Sequence, residues 1–485
     1  MGLHKHDTIP DKAAYQKVVE AFKEKRSGAT IADIVSRTAL PLSQVRELIS
    51  RVADEYAARL RVTRSGEICY SFPRGFQSRY RGFGAQARRL GEKLMQGIKI
   101  VAATLFKVWI MVMLVGYFVL FMLIALAALL ISLSASASRQ NSGERDEGHR
   151  GMFFTAGIFD LIIRVWFYCE LTKTLDPARR GTRRPPAEEK PRRPLYKGIF
   201  SFVFGDKDPD GDWPAREKQA VIAYLQSRNG VISLPELMIL TGRTAREAED
   251  LAVSYCAQFG GLPEATSDGT VVYRFDQILM QAERQREPRA APLKRPVAFS
   301  VNPLKMNVWF GILNGANLAF GSYFLYSARS ADPSFLYLVA DALASLAVSD
   351  TRVLLAAGLG AVPLVFSLIF WLIPAVRYGI LKKRNAAVAL ENARKRGYAR
   401  IWESPLAVLP EDLEIIEAGK PAPPVGERLI KEMGSYAMPE VTVDTRGKTV
   451  YVFKELAREK EAVRVYRLGI NPRDSELGET VFETD

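Results

Sequence analysis

Residues 108–133 hold no charged side chain: Val108-Trp-Ile-Met-Val-Met-Leu-Val-Gly-Tyr-Phe-Val-Leu-Phe-Met-Leu-Ile-Ala-Leu-Ala-Ala-Leu-Leu-Ile-Ser-Leu133. A hydrocarbon core about 30 Å thick is crossed by about 20 apolar residues in a helix. Uncharged runs of this length are rare in soluble cores. The stretch therefore predicts a membrane span over 108–134, and the rest of the chain has to be arranged around it.

The charge pattern agrees. Net charge is +14. Residues 74–107 carry eight Lys or Arg against one Glu, and residues 171–197 carry nine against three acids. Together these two stretches supply +13 of the total, and both flank apolar segments. That pattern predicts basic anchors at the cytoplasmic face, next to anionic lipid. Cys69, Cys169 and Cys256 are isolated in sequence, so no disulfide framework, zinc site or iron–sulfur ligand spacing is visible. Met1 to Pro10 is polar, without the pattern of a cleavable signal.

Outside the apolar runs, residues 11–73 read as three helices followed by a hairpin, the outline of a winged helix. Residues 11–26 form the first helix, Thr30 opens the second and Ser43 caps the third. The outline recurs over 198–280 and again within 377–470. Its best signature lies in the hairpins: Gly66-Glu-Ile-Cys-Tyr70-Ser-Phe72, Gly269-Thr-Val-Val-Tyr273-Arg-Phe275 and Gly447-Lys-Thr-Val-Tyr451-Val-Phe453. Each reads G-x-x-x-Y-x-F. Gly supplies the turn, and Tyr and Phe, two apart, share one strand face.

The expected order is a winged-helix-like module (11–73), a basic juxtamembrane helix (74–107), a first span (108–134) and a polar loop (135–150). Residues 152–171 follow as a second span or an interfacial helix, then a basic linker (172–197), the second module (198–280) and a linker (281–305). The third span is 306–327, a short apolar or interfacial helix 334–348, and the fourth span 353–376. A C-terminal module (377–470) and a tail (471–485) complete the chain. This is a membrane α-helical protein of about four transmembrane helices, with α+β winged-helix-like modules in up to three copies. Both termini are placed in the cytoplasm of a bacterial inner membrane, with a homo-oligomer left open. Gly311 and Gly315 form G-x-x-x-G, which permits close helix approach.

Few residues point to chemistry. Asp206-Lys-Asp208-Pro-Asp210-Gly-Asp212 followed by Glu217 matches a calcium-loop pattern, in which the acids supply oxygens and Gly turns the chain. Pro209 and Pro214 restrict such a loop, and no second loop accompanies it. The alternative is a polar turn leading into a helix whose first turn holds Pro214. Asp160 and Arg164, four apart, could pair within the membrane or mark an ion path. Asn314 and Asn317 are expected as glue between helices, or as part of a solute path. Arg46 and Arg246 lie on the third helices, where a winged helix meets its partner. Glu47, Asp54, Glu55, Glu247, Glu249 and Asp250 offset them, a poor balance for phosphate. Protein is therefore the expected partner rather than DNA. No P-loop, dinucleotide fingerprint, nucleophile elbow or zincin motif is present, and a non-enzymatic role is expected, with no cofactor unless calcium.

Ile199-Phe-Ser-Phe-Val-Phe-Gly-Asp206, the hairpin from Phe259 to Phe275 and the last span running into Lys383-Arg-Asn385 resemble an uncharacterised integral-membrane family. It occurs in cyanobacteria and chloroplasts, and its plant members are labelled iron–sulfur cluster biosynthesis family proteins. The likeness covers about residues 100–400. It implies a membrane protein. The family's F-G-D segment continues Gly-Asp-Pro-Asn, whereas here it continues Lys207-Asp-Pro-Asp210. The iron–sulfur label implies cluster ligands, which three isolated cysteines do not provide. The expected function is a membrane scaffold that docks protein, with a membrane-tethered DNA-binding regulator and a transporter or channel component as the alternatives.

Overall fold

The computed structural model describes residues 11–24, 28–73, 76, 83–138, 194–282, 291–329, 356–413, 416–417, 420–421, 425–471 and 476–484. They are mostly helical, with small sheets. They fall into two compact units. The mixed unit comprises Met1–Arg89, Asp208–Pro296 and Arg384–Asp485, and the apolar unit Leu90–Lys207 and Val297–Lys383. The expected segments 152–171, with Asp160 and Arg164, and 334–348 lie outside the described residues.

Along the chain, helices α1 (Asp11–Glu24), α2 (Ile31–Thr38) and α3 (Leu42–Tyr56) precede the hairpin β1 (Arg59–Thr63) and β2 (Ile68–Ser71). Then come α4 (Phe83–Met111), a π-helical turn (Val112–Gly116), α5 (Tyr117–Ser138) and α6 (Leu195–Phe204). Next are α7 (Trp213–Ser227), β3 (Val231–Ser233), α8 (Leu234–Thr241), α9 (Ala245–Phe259), β4 (Leu262–Ala265) and β5 (Val271–Arg274). Helix α10 (Leu304–Arg329), a second π-helical turn (Ala356–Ala361) and α11 (Val362–Glu403) follow. The chain closes with β6 (Ile416–Glu417), β7 (Lys420–Pro421), α12 (Gly426–Gly434), β8 (Glu440–Val443), β9 (Thr449–Val452), α13 (Lys454–Leu468) and β10 (Thr480–Glu483).

In the mixed unit the three G-x-x-x-Y-x-F segments adopt one arrangement. Gly66, Gly269 and Gly447 have φ of +83°, +80° and +76°, the left-handed region that glycine enters without a Cβ penalty. Phe72, Phe275 and Phe453 are buried. Each Tyr pairs with a residue just ahead of a helical turn: Tyr70 with Ala29, Tyr273 with Ile232 and Tyr451 with Val408. Thr30 and Ser233 then cap α2 and α8, each in a capping box whose acid, Asp33 or Glu236, is itself buried. Helix α3 begins at Leu42 behind Pro41, so Ser43 lies in its first turn instead of capping it. Pro41 fixes the entry and leaves no side-chain cap.

The segments share their interiors. One apolar core joins Phe22, Leu48 and Phe72 to Val221, Tyr255 and Phe275. A second joins Met238 and Ala248 to Tyr398, Leu429 and Phe453. The residues expected as a tail contain β10, which pairs antiparallel with β1 and widens the first hairpin to three strands.

Among the described residues two helices are long and apolar enough to cross a membrane, Leu94–Ala127 in the apolar unit and Ala357–Glu403, which begins there and ends past Lys383. Only the first part of the latter, to about Val376, is free of charge. Helix α10 forms where a third span is expected, but Asn307, Asn314, Asn317 and its glycines hold it below that apolarity. The first of these helices starts earlier than the expected span and takes in Lys99 and Lys107. The ammonium of Lys107 lies 4.6 Å above the Phe200 ring, so its stem is covered while its charge meets a π face. Close helix approach occurs at Gly321 and Gly360, where an added Cβ would stand 3.1 Å from the backbone nitrogen of Leu364 and of Leu325, respectively. At the G-x-x-x-G pair, Gly311 faces the Trp371 side chain and Gly315 faces open space.

Candidate functional site

The acids of the 206–217 segment are held by several separate partners. Asp206, in the apolar unit, accepts hydrogen bonds from the Ser201 hydroxyl and, at 3.0 Å, from the Val301 amide. In the mixed unit, Asp208 is paired with Arg384, whose hydrogen bond holds its carboxyl below the usual range. Asp210 is buried, accepts from the Arg295 amide at 2.6 Å and lies 3.2 Å from Arg216. Asp212 also binds Arg216, and buried Glu217 binds Arg243 at 2.9 Å. Each acid meets hydrogen-bond or ion-pair donors, and Arg216 serves both Asp210 and Asp212. Among the described residues no group of three or more His, Cys, Asp or Glu side chains is placed to hold a metal ion. Cys69 and Cys256 are free thiols.

Asn314 and Asn317 are fully buried on one face of α10. Asn314 donates from Nδ2 to the Ser367 carbonyl at 3.0 Å, and Asn317 to the Leu114 carbonyl at 2.9 Å. Leu114 belongs to the first π-helical turn. The second turn is met in the same way, since the Tyr117 hydroxyl donates to the Gly358 carbonyl at 3.0 Å. A π turn breaks the regular ladder, and its carbonyls need such donors. Periodicity finds apolar faces and gives no sign of a π turn, so these donor pairs are invisible before folding.

Arg46 and Arg246 are both exposed, on α3 and α9. Exposed Glu47, Glu249 and Asp250 share those helices, and Glu247 is occupied in the α9 cap. Neither helix offers a field of one sign.

Sequence reasoning missed a set of buried charged joints within the mixed unit. Arg467 binds Glu236 and donates to the Val231 carbonyl at 2.8 Å, while the Tyr224 hydroxyl binds the same Glu at 2.8 Å. Glu432 takes two bonds of 2.8 Å from Arg394, one of 3.0 Å from Arg428 and one of 2.9 Å from Tyr398. Burial pushes the Glu432 carboxyl up, but these donors outweigh it and hold it at about 2. Trp213 lies under two ammonium groups, Lys395 at 4.6 Å and Lys294 at 5.1 Å. Asn392 exchanges two hydrogen bonds with the Lys294 backbone, at 3.0 and 2.8 Å. Most of these partners are scores of residues apart or more, beyond any local signal.

Over 286 residues, 57% of its length, the chain is 23% identical to an uncharacterised chloroplastic protein of Arabidopsis thaliana. It spans about half the length of that relative (51%). No family model matches, and no solved structure matches.

Proposed function

We propose that this is a polytopic, non-enzymatic membrane protein whose mixed unit is a docking surface for another protein. The observation that carries the reading is a strand edge. In the first hairpin the outer edge of β1 is filled by β10, with Arg61 opposite Glu483 and Val62 opposite Phe482. In the third hairpin the equivalent strand, β8, pairs with β9 alone among the described strands. It exposes Val441 and Val443, with Met438 just before it 83% exposed. An open edge carrying apolar side chains is where an extended partner segment adds a strand.

Membrane attachment rests on the two long apolar helices. Their apolar windows are mostly exposed, which a water-soluble core helix would not be. The finer reading has about four spans and up to three winged-helix-like copies, the recurrent Tyr pairing being what supports internal repetition. Basic stretches 74–107 and 171–197 would face anionic lipid on the cytoplasmic side of an inner membrane or its organellar counterpart. The balanced charge of α3 and α9 favours protein over DNA as partner.

The test is in-cell crosslinking from photoreactive residues at Val441, Arg46 and Arg246, recovering protein and DNA together. The reading expects one defined protein adduct from Val441, lost on Val443→Pro. DNA adducts at Arg46 would put a membrane-tethered regulator in its place, and no adduct from any site would remove the docking surface.

A further inference from the structure

The three hairpins share one register. Leu60 stands opposite Tyr70 and Val62 opposite Ile68 in the first, Pro263 opposite Tyr273 and Ala265 opposite Val271 in the second, and Val441 opposite Tyr451 and Val443 opposite Thr449 in the third. Counted back from Gly66, Gly269 and Gly447, Leu60, Pro263 and Val441 hold one position, and Val62, Ala265 and Val443 another. Each Tyr turns its backbone inward. Tyr70 exchanges both of its bonds with Ala29, Tyr451 exchanges both with Val408, and Tyr273 pairs with Ile232. In an antiparallel ladder the residue opposite such a Tyr directs its own backbone groups outward.

The three outward positions differ in what they meet. The Leu60 amide donates to Thr484 Oγ1 at 2.9 Å, and its carbonyl accepts from the Thr484 amide at 2.9 Å, so β10 fills the first edge. Pro263 has no N–H to offer, which closes the second edge to an added strand. Val441 keeps its N–H, and β8 has β9 alone beside it among the described strands. Side-chain exposure follows the same division. Leu60 and Val62, beside β10, are half-buried, whereas Val441 and Val443 are 62% and 69% exposed. The third edge therefore lacks what β10 supplies to the first.

Resting on the docking reading above, we propose that the partner's segment at β8 is an extended strand that pairs antiparallel in the register β10 uses on β1, with a large apolar residue opposite Val443 and a Thr or Ser opposite Val441. Phe482 is the internal example of the first requirement, since it stands opposite Val62, the residue type that β8 repeats as Val443. Thr484 is the example of the second, its hydroxyl accepting from the outward amide while its own amide donates back. The residue between them is free to vary. Glu483 stands opposite Arg61, but Thr442 holds that place in β8, so no acid is required there. Backbone pairing supplies the attachment and the alternate side chains the preference.

The experiment uses a fluorescein-labelled peptide of residues 476–484 as the probe and the full chain in lipid nanodiscs, read by fluorescence polarisation. The expected result is saturable binding. The same peptide with Phe482→Ala leaves the protein untouched and should bind about tenfold more weakly, the loss of one apolar anchor. In the protein, Val441→Pro removes the N–H that Pro263 already lacks in an intact hairpin, so the variant should elute normally on size exclusion and lose the peptide. Binding that Val441→Pro leaves unchanged would place the peptide on β1 by exchange with β10, and would overturn the proposal. Equal binding of the Phe482→Ala peptide would also overturn it. If the peptide does not bind while a photoreactive residue at Val441 still captures one protein in cells, the docking surface stands and this register and side-chain preference fall. Neither peptide binding nor an adduct would remove both.

Discussion

The hydroxyl of Tyr436 stands 3.1 and 3.0 Å from the two carboxylate oxygens of Glu459, in the interior of the mixed unit. Glu459 is 8% exposed. Burial raises its carboxyl to about 7, with the Tyr436 hydrogen bond opposing and Glu236 adding to the rise. An acid raised in the folded state keeps its proton while the unfolded chain, with the ordinary value of 4.5, has lost it. The folded state is therefore penalised increasingly from pH 4.5 to pH 7, and fully above that. Glu459→Gln should stabilise the protein by about 3 kcal/mol at pH 8 and show little difference at pH 4. Denaturant melts of both proteins across that range check it, and a difference independent of pH would refute it.

Glu432 behaves in the opposite sense. Its carboxyl is held at about 2, so its contribution is present above 4.5 and is lost as pH falls from 4.5 to 2. Glu432→Gln leaves the Arg394 guanidinium half-buried and short of its bidentate partner. The expected cost is about 3 kcal/mol at pH 7, read as a lower denaturation midpoint. The gap from wild type should narrow as the buffer is acidified towards pH 2.

Helix contact in the apolar unit turns on Gly321, where an added Cβ would stand 3.1 Å from the Leu364 nitrogen and 3.2 Å from the Gly360 carbonyl oxygen. Gly321→Leu should force the helices apart and lower Tm in detergent by several degrees. Gly315→Ala should leave Tm unchanged, because nothing lies within 4 Å of its added Cβ. Equal effects at the two positions would contradict the contact.

Strand β10 seals the edge of β1, and the Thr484 Oγ1 accepts from the Leu60 amide at 2.9 Å. Deleting residues 477–485 should bare that edge. The shortened protein is expected to melt earlier and to form concentration-dependent oligomers on size exclusion, since open edges recruit other strands. Monomeric elution at all concentrations would argue that the edge needs no cover.

Several features were legible from local pattern. The glycine turns, the Tyr-x-Phe spacing, the Thr30 cap and the uncharged run each depend on residues within a few positions of one another. The acidic segment 206–217 shows what such reading leaves out. Its spacing imitates a cation loop, but Arg384, Arg295, Arg216 and Arg243 supply the counter-charge or amide donors for four of its acids, and a motif scan does not see them. The G-x-x-x-G pair fails for a related reason: a small residue permits close approach, and only the partner helix decides whether approach occurs there.

Backbone preference and hydrophobicity act over a turn or a strand, and they determined, from the sequence by itself, which segments are helical, where the hairpins turn and which runs are most apolar. Tertiary structure decided the rest: that the three hairpin segments share cores, that Asp33 and Glu236 serve both as caps and as ties to Ala282 and Arg467, and that Asn317 meets a π-turn carbonyl. Those outcomes depend on burial. A polar group taken out of water must find a partner wherever the chain brings one, and that partner's distance in sequence has no bearing on the energy gained.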